Sequence, residues 1–121
     1  MPFRQKGVAV FAAHGAPDHE TGVPGIRMKT LCFGERTLMT EFRLAAESAL
    51  PLHAHLHEQT GYLVSGHMIL TIGEERHQMG AGDSWCIPGS VLHSAEAIED
   101  AVAVEVFSPV REDYLPEPES I

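Results

Sequence analysis

Basic residues are scarce in this chain. Lys and Arg number 8 against 17 Asp and Glu, a formal net charge of −9 at pH 7 with histidine neutral. A nucleic-acid surface needs a basic face, and an anionic bilayer recruits the same charge, so neither is expected as a partner. Cysteine is scarcer still. Cys32 and Cys86 lie 54 positions apart and make neither a C-x-x-C motif nor a disulfide framework, so two buried free thiols are expected. No apolar run approaches the ~18 residues that span a bilayer. The stretch Gly7 to Ala13 behind Arg4 and Lys6 barely reaches the ~7 residues of a signal-peptide core. It reads instead as a first strand, in a cytoplasmic protein. Long helical periodicity is missing as well.

Short apolar runs separated by Gly, Pro and Asp every ~8–12 residues take its place, the pattern of an all-β sandwich or barrel. With 121 residues, 13.2 kDa and 44% apolar residues, the chain suits one packed domain. Strands are predicted at Val8 to Ala12, Ile26 to Phe33, Thr37 to Leu44, Tyr62 to Val64 and Met68 to Ile72. Further strands are predicted at Arg76 to Met79, Trp85 to Ile87, His93 to Ile98 and Ala101 to Phe107. Gly15 to Gly25 reads as a loop, Ala45 to Leu50 as one helical turn, and the acidic end after Arg111 as a solvated arm.

Histidine is in surplus, with 8 residues, as many as Lys and Arg together. The central run is Leu52-His53-Ala54-His55-Leu56-His57-Glu58-Gln59. On a strand, side chains at i and i+2 leave the same face, so His53 and His55 can share one metal ion. His93, which re-enters a strand after the Pro88-Gly89 turn, is the distant partner. His57 shares their parity but follows an expected turn, which makes it a neighbour of the site or exposed. His14, His19, His67 and His77 have no sequence partner and read as surface residues.

These two segments resemble the two motifs of the cupin superfamily. In G-x5-H-x-H-x(3,4)-E-x6-G, His53 and His55 fill H-x-H and Gly66 ends the motif. Gln59 falls where the glutamate is expected, and Glu47 replaces the leading glycine. In G-x5-P-x-G-x2-H-x3-N, Gly82, Pro88 and His93 match, while Ser90 and Ala97 depart. The resemblance implies an all-β, single-domain cupin barrel (a double-stranded β-helix, or jelly roll). That domain fills residues 1–121, with the barrel at about 26–111, an N-terminal strand and loop at 1–25 and an acidic tail at 112–121. It implies a divalent transition metal (Ni, Zn, Fe, Mn or Cu) held by His53, His55, Gln59 and His93. Glu58 is the competing ligand, a better donor outside the family spacing. Three imidazoles and an amide leave the ion's charge unneutralised, which favours an anionic ligand and Lewis-acid chemistry over the carboxylate-bearing iron sites of oxygenases.

Ala101 to Phe107 alternates. Val102, Val104 and Val106 share one face, read as packed core. Ala101, Ala103, Glu105 and Phe107 share the other, which is a cavity wall or a solvated face. Phe107, Pro109 and Arg111, with Glu105 in place of an aspartate, resemble the tail of KdgF-type small cupins of pectin and alginate breakdown. That narrower resemblance implies a small anionic substrate, an unsaturated uronate, isomerised or ring-opened. Glu105 would move a proton, Arg111 would hold the carboxylate and Phe107 would pack on the sugar ring. An iron dioxygenase, a lyase on another small acid, or a non-catalytic binding cupin are the alternatives, and Arg111 as a plain surface residue stays open. The family likeness also implies a homodimer, with Val8 to Phe11 added to the partner's sheet edge.

Overall fold

The computed structural model describes residues 10–15 and 17–115. Among them are ten strands: β1 (His19–Glu20), β2 (Ile26–Phe33), β3 (Leu38–Leu44), β4 (Ala49–His53), β5 (Glu58–Ser65), β6 (His67–Ile72), β7 (Glu75–Gly80), β8 (Ser84–Ile87), β9 (His93–Ala97) and β10 (Ala101–Ser108). One 3-10 turn, Glu112–Tyr114, follows. The strands form two antiparallel sheets, a six-stranded one ordered β1-β2-β3-β10-β5-β8 and a four-stranded one ordered β4-β9-β6-β7. The all-β expectation holds, but the pairing does not close one barrel. Edge strands β1 and β8 have only two and four residues, and the ladders stop there. No helix among the described residues is long and apolar enough to cross a membrane.

Alternation places the core between the sheets. Ile26, Leu44, Leu63, Ala103, Trp85 and Ile87 of the six-stranded sheet meet Met68, Leu70 and Ala97 of the four-stranded one. A smaller cluster of Phe33, Leu38, Phe107 and Val110 sits beside it. On β10 the buried face is Ala101, Ala103, Glu105 and Phe107, whereas the valines are half-exposed. The expected valine core is therefore reversed. The outward valines pack only along the sheet surface, beside Tyr62 and Met39 on the neighbouring strands.

Other expectations shift for local reasons. Val8 and Ala9 of the expected first strand lie outside the described residues, and residues 10–12 are in no strand. The expected loop before residue 25 contains β1, whose two residues pair with Met28 and Arg27. In place of the helical turn expected at Ala45 to Leu50, Ala45 to Ser48 is a turn closed by Ser48 N–H on the Ala45 carbonyl, and β4 begins at Ala49. Glu47, at φ 71, cannot continue a right-handed helix. The chain after Arg111 is tied down as far as Leu115, since Thr30 Oγ1 donates to the Tyr114 carbonyl at 2.6 Å. Both cysteines are free, but Cys32 is half-buried and Cys86 exposed, because β8 turns Cys86 away from the core side that Trp85 and Ile87 occupy.

Glu47 and Ser90 occupy the two motif positions where glycine was replaced. They are the two non-glycine residues with positive φ among those described, at 71° and 66°. The left-handed backbone that the motif glycines would supply is thus kept, with a side chain added. Gly66, at φ 94, retains its glycine because a Cβ there would collide with the Asp100 carbonyl and Ala101. Gly66→Ala is expected to lower stability by about 3 kcal/mol, from left-handed strain and crowding together. Glu47→Gly is expected to raise it by about 0.5–1 kcal/mol, the left-handed cost less the extra chain entropy of glycine. Urea unfolding midpoints moving in opposite directions for the two variants would bear this out; a neutral Gly66→Ala would contradict it.

Candidate metal centre

His53 ends β4 and lies opposite His93, the first residue of β9. His55 lies two residues beyond β4, in the segment leading to β5, so the H-x-H pair does not share one strand. The chain bends at Leu56 and His57 instead, and brings the His55 ring back over the other two. Ring centroids are 4.1 Å apart for His53 and His93, 5.0 Å for His55 and His93, and 5.7 Å for His53 and His55. One nitrogen from each ring falls within 4.8 Å of the others, so the three can hold a metal ion.

Backbone carbonyls fix which nitrogen each ring offers. Nδ1 of His53 lies 2.8 Å from the Pro51 carbonyl, Nδ1 of His93 lies 2.9 Å from that of Val91, and Nδ1 of His55 lies 3.1 Å from that of His57. A carbonyl only accepts, so Nδ1 carries the proton and Nε2 the lone pair in all three rings. Nε2 of His93 is buried and has no hydrogen-bond partner. An orphaned buried acceptor is costly unless something occupies it. Burial holds the His93 pKa down to about 4 and lowers that of His55, with the nearby Arg111 charge adding to both effects. Both rings are therefore neutral at pH 7, the state that ligates metal. The donor set, its tautomers and the vacant lone pair fit a divalent transition ion.

Gln59 enters from the facing sheet, on β5. It is buried, and its Oε1 lies 3.0 Å from His55 Nε2. With Nδ1 protonated, these are two acceptors facing each other, an arrangement that a shared cation relieves. Glu58, the competing ligand, is exposed on the opposite face of β5. His57 is half-buried beside His55 and supplies the carbonyl for its Nδ1. His14, His19 and His77 are exposed and His67 is half-buried, all away from the cluster.

Glu105 stands on β10, buried, and lines the cavity together with His53, Gln59, His93, Phe107 and Arg111. Burial pushes its carboxyl up to about 8, against hydrogen bonds from Gln59 and Trp85 that favour the ionised form. In the metal-free protein the carboxyl is thus largely protonated at pH 7; a cation at the histidines acts in the opposite direction. Phe107 meets the His55 ring edge-on at 5.7 Å. The Arg111 guanidinium lies 4.0 Å from the Tyr114 ring centroid and 5.3 Å from that of Phe107, with Nε 3.0 Å from Asp113. Its side chain is only 16% exposed, so it is a cavity residue rather than a free surface charge.

Tyr114 and Trp85 were given no part in the site by the sequence, and Ser90 only a place in the motif. Tyr114 packs against Phe107 and Phe42 and clamps Arg111, although it lies in what read as a solvated arm. Trp85 donates to Glu105. Ser90 N–H donates to the His55 carbonyl at 2.7 Å, holding the H-x-H segment. A Cβ on Gly89 would collide with the Leu56 carbonyl, so that turn packs directly on the same backbone. The Phe-x-Pro-x-Arg spacing pointed toward the C-terminal segment, but tyrosine three residues beyond arginine carries no motif signal of its own.

The Cupin domain family model (Cupin_2) matches residues 40–109, more than half of the chain, and the protein belongs to that family. Two solved structures are similar over nearly its whole length. An RmlC-like cupin from Shewanella frigidimarina has 25% identity and a TM-score of 0.84, with 89% of this chain and 97% of that one covered. KdgF from Halomonas sp. has 26% identity and a TM-score of 0.84, with 89% and 100% covered. The polyketide cyclase RemF from Streptomyces resistomycificus shares the fold at 20% identity and a TM-score of 0.72, with 84% and 80% covered. No curated protein sequence matches.

Removing the two paired histidines tests the centre directly. After incubation with nickel or zinc and dialysis, the wild-type protein is expected to retain about one ion per chain. The His53→Ala/His93→Ala variant should retain less than about a tenth of that, since two of four donors are gone. Equal metal content in elemental analysis of the two proteins would place the ion elsewhere.

Proposed function

We propose that the protein is a metal-dependent enzyme that opens or isomerises a small unsaturated uronate. One observation carries the reading: a buried carboxyl and an aromatic-clamped arginine line the same cavity as His53 and His93, two of three clustered metal-competent histidines. The likeness to KdgF and the match of Phe107, Pro109 and Arg111 to that group's tail support the substrate class. His53, His55, His93 and Gln59 would hold the ion. When bound, it supplies Lewis acidity and a positive charge for a substrate oxygen.

The chain's own residues do the rest. Arg111 binds the uronate carboxylate through its planar donor fork, which the Tyr114 and Phe107 rings keep in place. Phe107, almost fully buried in the cavity wall, would pack on the sugar ring, and the apolar lining beyond it, Leu50, Met68 and Leu70, limits water. Ring opening is an isomerisation and consumes neither oxidant nor water. The anomeric hydroxyl gives up its proton, the ring C–O bond breaks, and the resulting enol carbon takes a proton to leave a keto acid. Glu105 is the group that receives and returns that proton. The amide at Gln59 leaves the centre without the carboxylate of oxygen-activating iron sites, which favours proton transfer over oxygen chemistry.

A homodimer is part of the same proposal. The outward face of the six-stranded sheet carries Val102, Val104 and Val106 with Tyr62 and Val64, the last two 50% and 48% exposed. Glu41 beside Val104 is already paired with Arg43, and the exposed Glu58 stands at the end of the face, opposite Ser108, in a chain of net charge −9. A second copy of this face is the occupant proposed. Gel filtration should show twice the 13.2 kDa chain mass, whereas a monomer at micromolar concentration would rule the dimer out.

The activity has a direct assay. Unsaturated uronate freshly released by a uronate lyase should convert faster with the metal-loaded protein than spontaneously or with chelator-stripped protein. Arg111→Ala is expected to raise KM roughly ten- to hundredfold, the value of a charge-assisted hydrogen bond. No acceleration over the stripped control would reject this substrate.

A further inference from the structure

The row of residues crossing the six-stranded sheet at Glu105 has a gap in it. Glu105 on β10 lies opposite Gly61 on β5, and Gly61 lies opposite Trp85 on β8. Adjacent strands are about 4.8 Å apart, so Trp85 starts about two strand spacings from Glu105. A side chain at the middle position would stand between them. A Cβ on Gly61 would collide with indole atoms Cε2, Nε1 and Cζ2. The missing side chain is the space the indole occupies as it lies over β5. From there Nε1 donates to Glu105 Oε2 at 3.3 Å. Gln59, on the neighbouring row, is the carboxyl's other hydrogen-bond partner.

Packing alone does not require this arrangement. A smaller apolar residue at 85 with an ordinary side chain at 61 could fill the same layer. What the glycine–tryptophan pair adds is a donor that reaches a buried carboxyl across an intervening strand. Glu105 also has one methylene more than the aspartate of the KdgF-type tail, and hence one more torsion to fix. We infer that Trp85, seated in the notch at Gly61, is a positioning residue for Glu105, holding one carboxyl oxygen so that the other is presented to the cavity. This rests on the proton-transfer role proposed for Glu105. It assigns the longer carboxylate a tether at its tip.

Trp85 is the chain's only tryptophan, so it gives a single indole N–H signal in a proton–nitrogen correlation spectrum. Its exchange with solvent should be slow in the wild type and in Glu105→Gln, which keeps a carbonyl acceptor. Glu105→Leu should exchange at least about tenfold faster. In the unsaturated-uronate assay, Trp85→Phe should keep its metal content and a KM within about twofold. Its kcat should fall about tenfold or more, as expected when a proton-transfer group is misplaced by an ångström. Equal indole exchange in wild type and Glu105→Leu would overturn the tether, and a wild-type kcat in Trp85→Phe would overturn the positioning role. If the wild-type protein leaves the uronate unchanged, the functional reading fails, while indole exchange still decides whether Trp85 holds Glu105.

Discussion

Three hydrogen bonds from imidazole Nδ1 to backbone carbonyls organise the centre of this protein. Each carbonyl, at Pro51, His57 and Val91, lies two residues from the ring it orients. Local chain geometry thus sets the tautomer, and no other side chain is needed to do so. The consequence is a set of lone pairs turned inward, one of them buried with nothing to accept from. Metal-binding histidines need this kind of outer support, because an unrestrained ring offers either nitrogen in any direction.

The rest of the fold can be read as what it takes to bring those rings together and to face them with the right chemistry. His53 and His93 come from paired strands of the four-stranded sheet, while Gln59, Glu105 and Phe107 come from the six-stranded one. Among the described residues no strand ladder joins the two sheets, and the cavity is lined from both of them. The Pro88 to Ser90 turn grips the His55 backbone, and Ser90 accepts left-handed strain to do it. The polar end of the cavity sets burial against charge. Burial favours the protonated Glu105 carboxyl in the free protein, and the Arg111 guanidinium lies over the Phe107 and Tyr114 rings. A dication at the histidines would favour the ionised carboxyl, against that burial.

Much of this was legible in the sequence because it depends on spacing. His53, His55 and His93 follow from two motifs in order, and parity alone put Glu105 and Phe107 on one side of β10. The strand limits at Ile26 and Phe33 needed only alternation and flanking turns. Parity could not say which side faced inward, and the valines, being the more apolar set, pointed to the wrong one. The inward side is the one that pairs Glu105 with Thr40 and Gly61, a relation set by register between strands distant in sequence. The same holds for Trp85, whose partner lies two strands away, and for Tyr114, whose ring docks on Phe107 from a segment rich in charge. Glu47 and Ser90 were visible as departures from the motif. That the backbone would keep its left-handed turns despite them was not.

One metal centre shared by the two sheets is the central proposal for this protein. A crystal structure of the zinc- or nickel-loaded protein, with data collected at the metal's absorption edge, tests it most directly. One anomalous peak is expected within about 2.0–2.2 Å of Nε2 of His53, His55 and His93 and of Oε1 of Gln59. A peak at His77 or another surface histidine, with the three clustered rings still free, would contradict it.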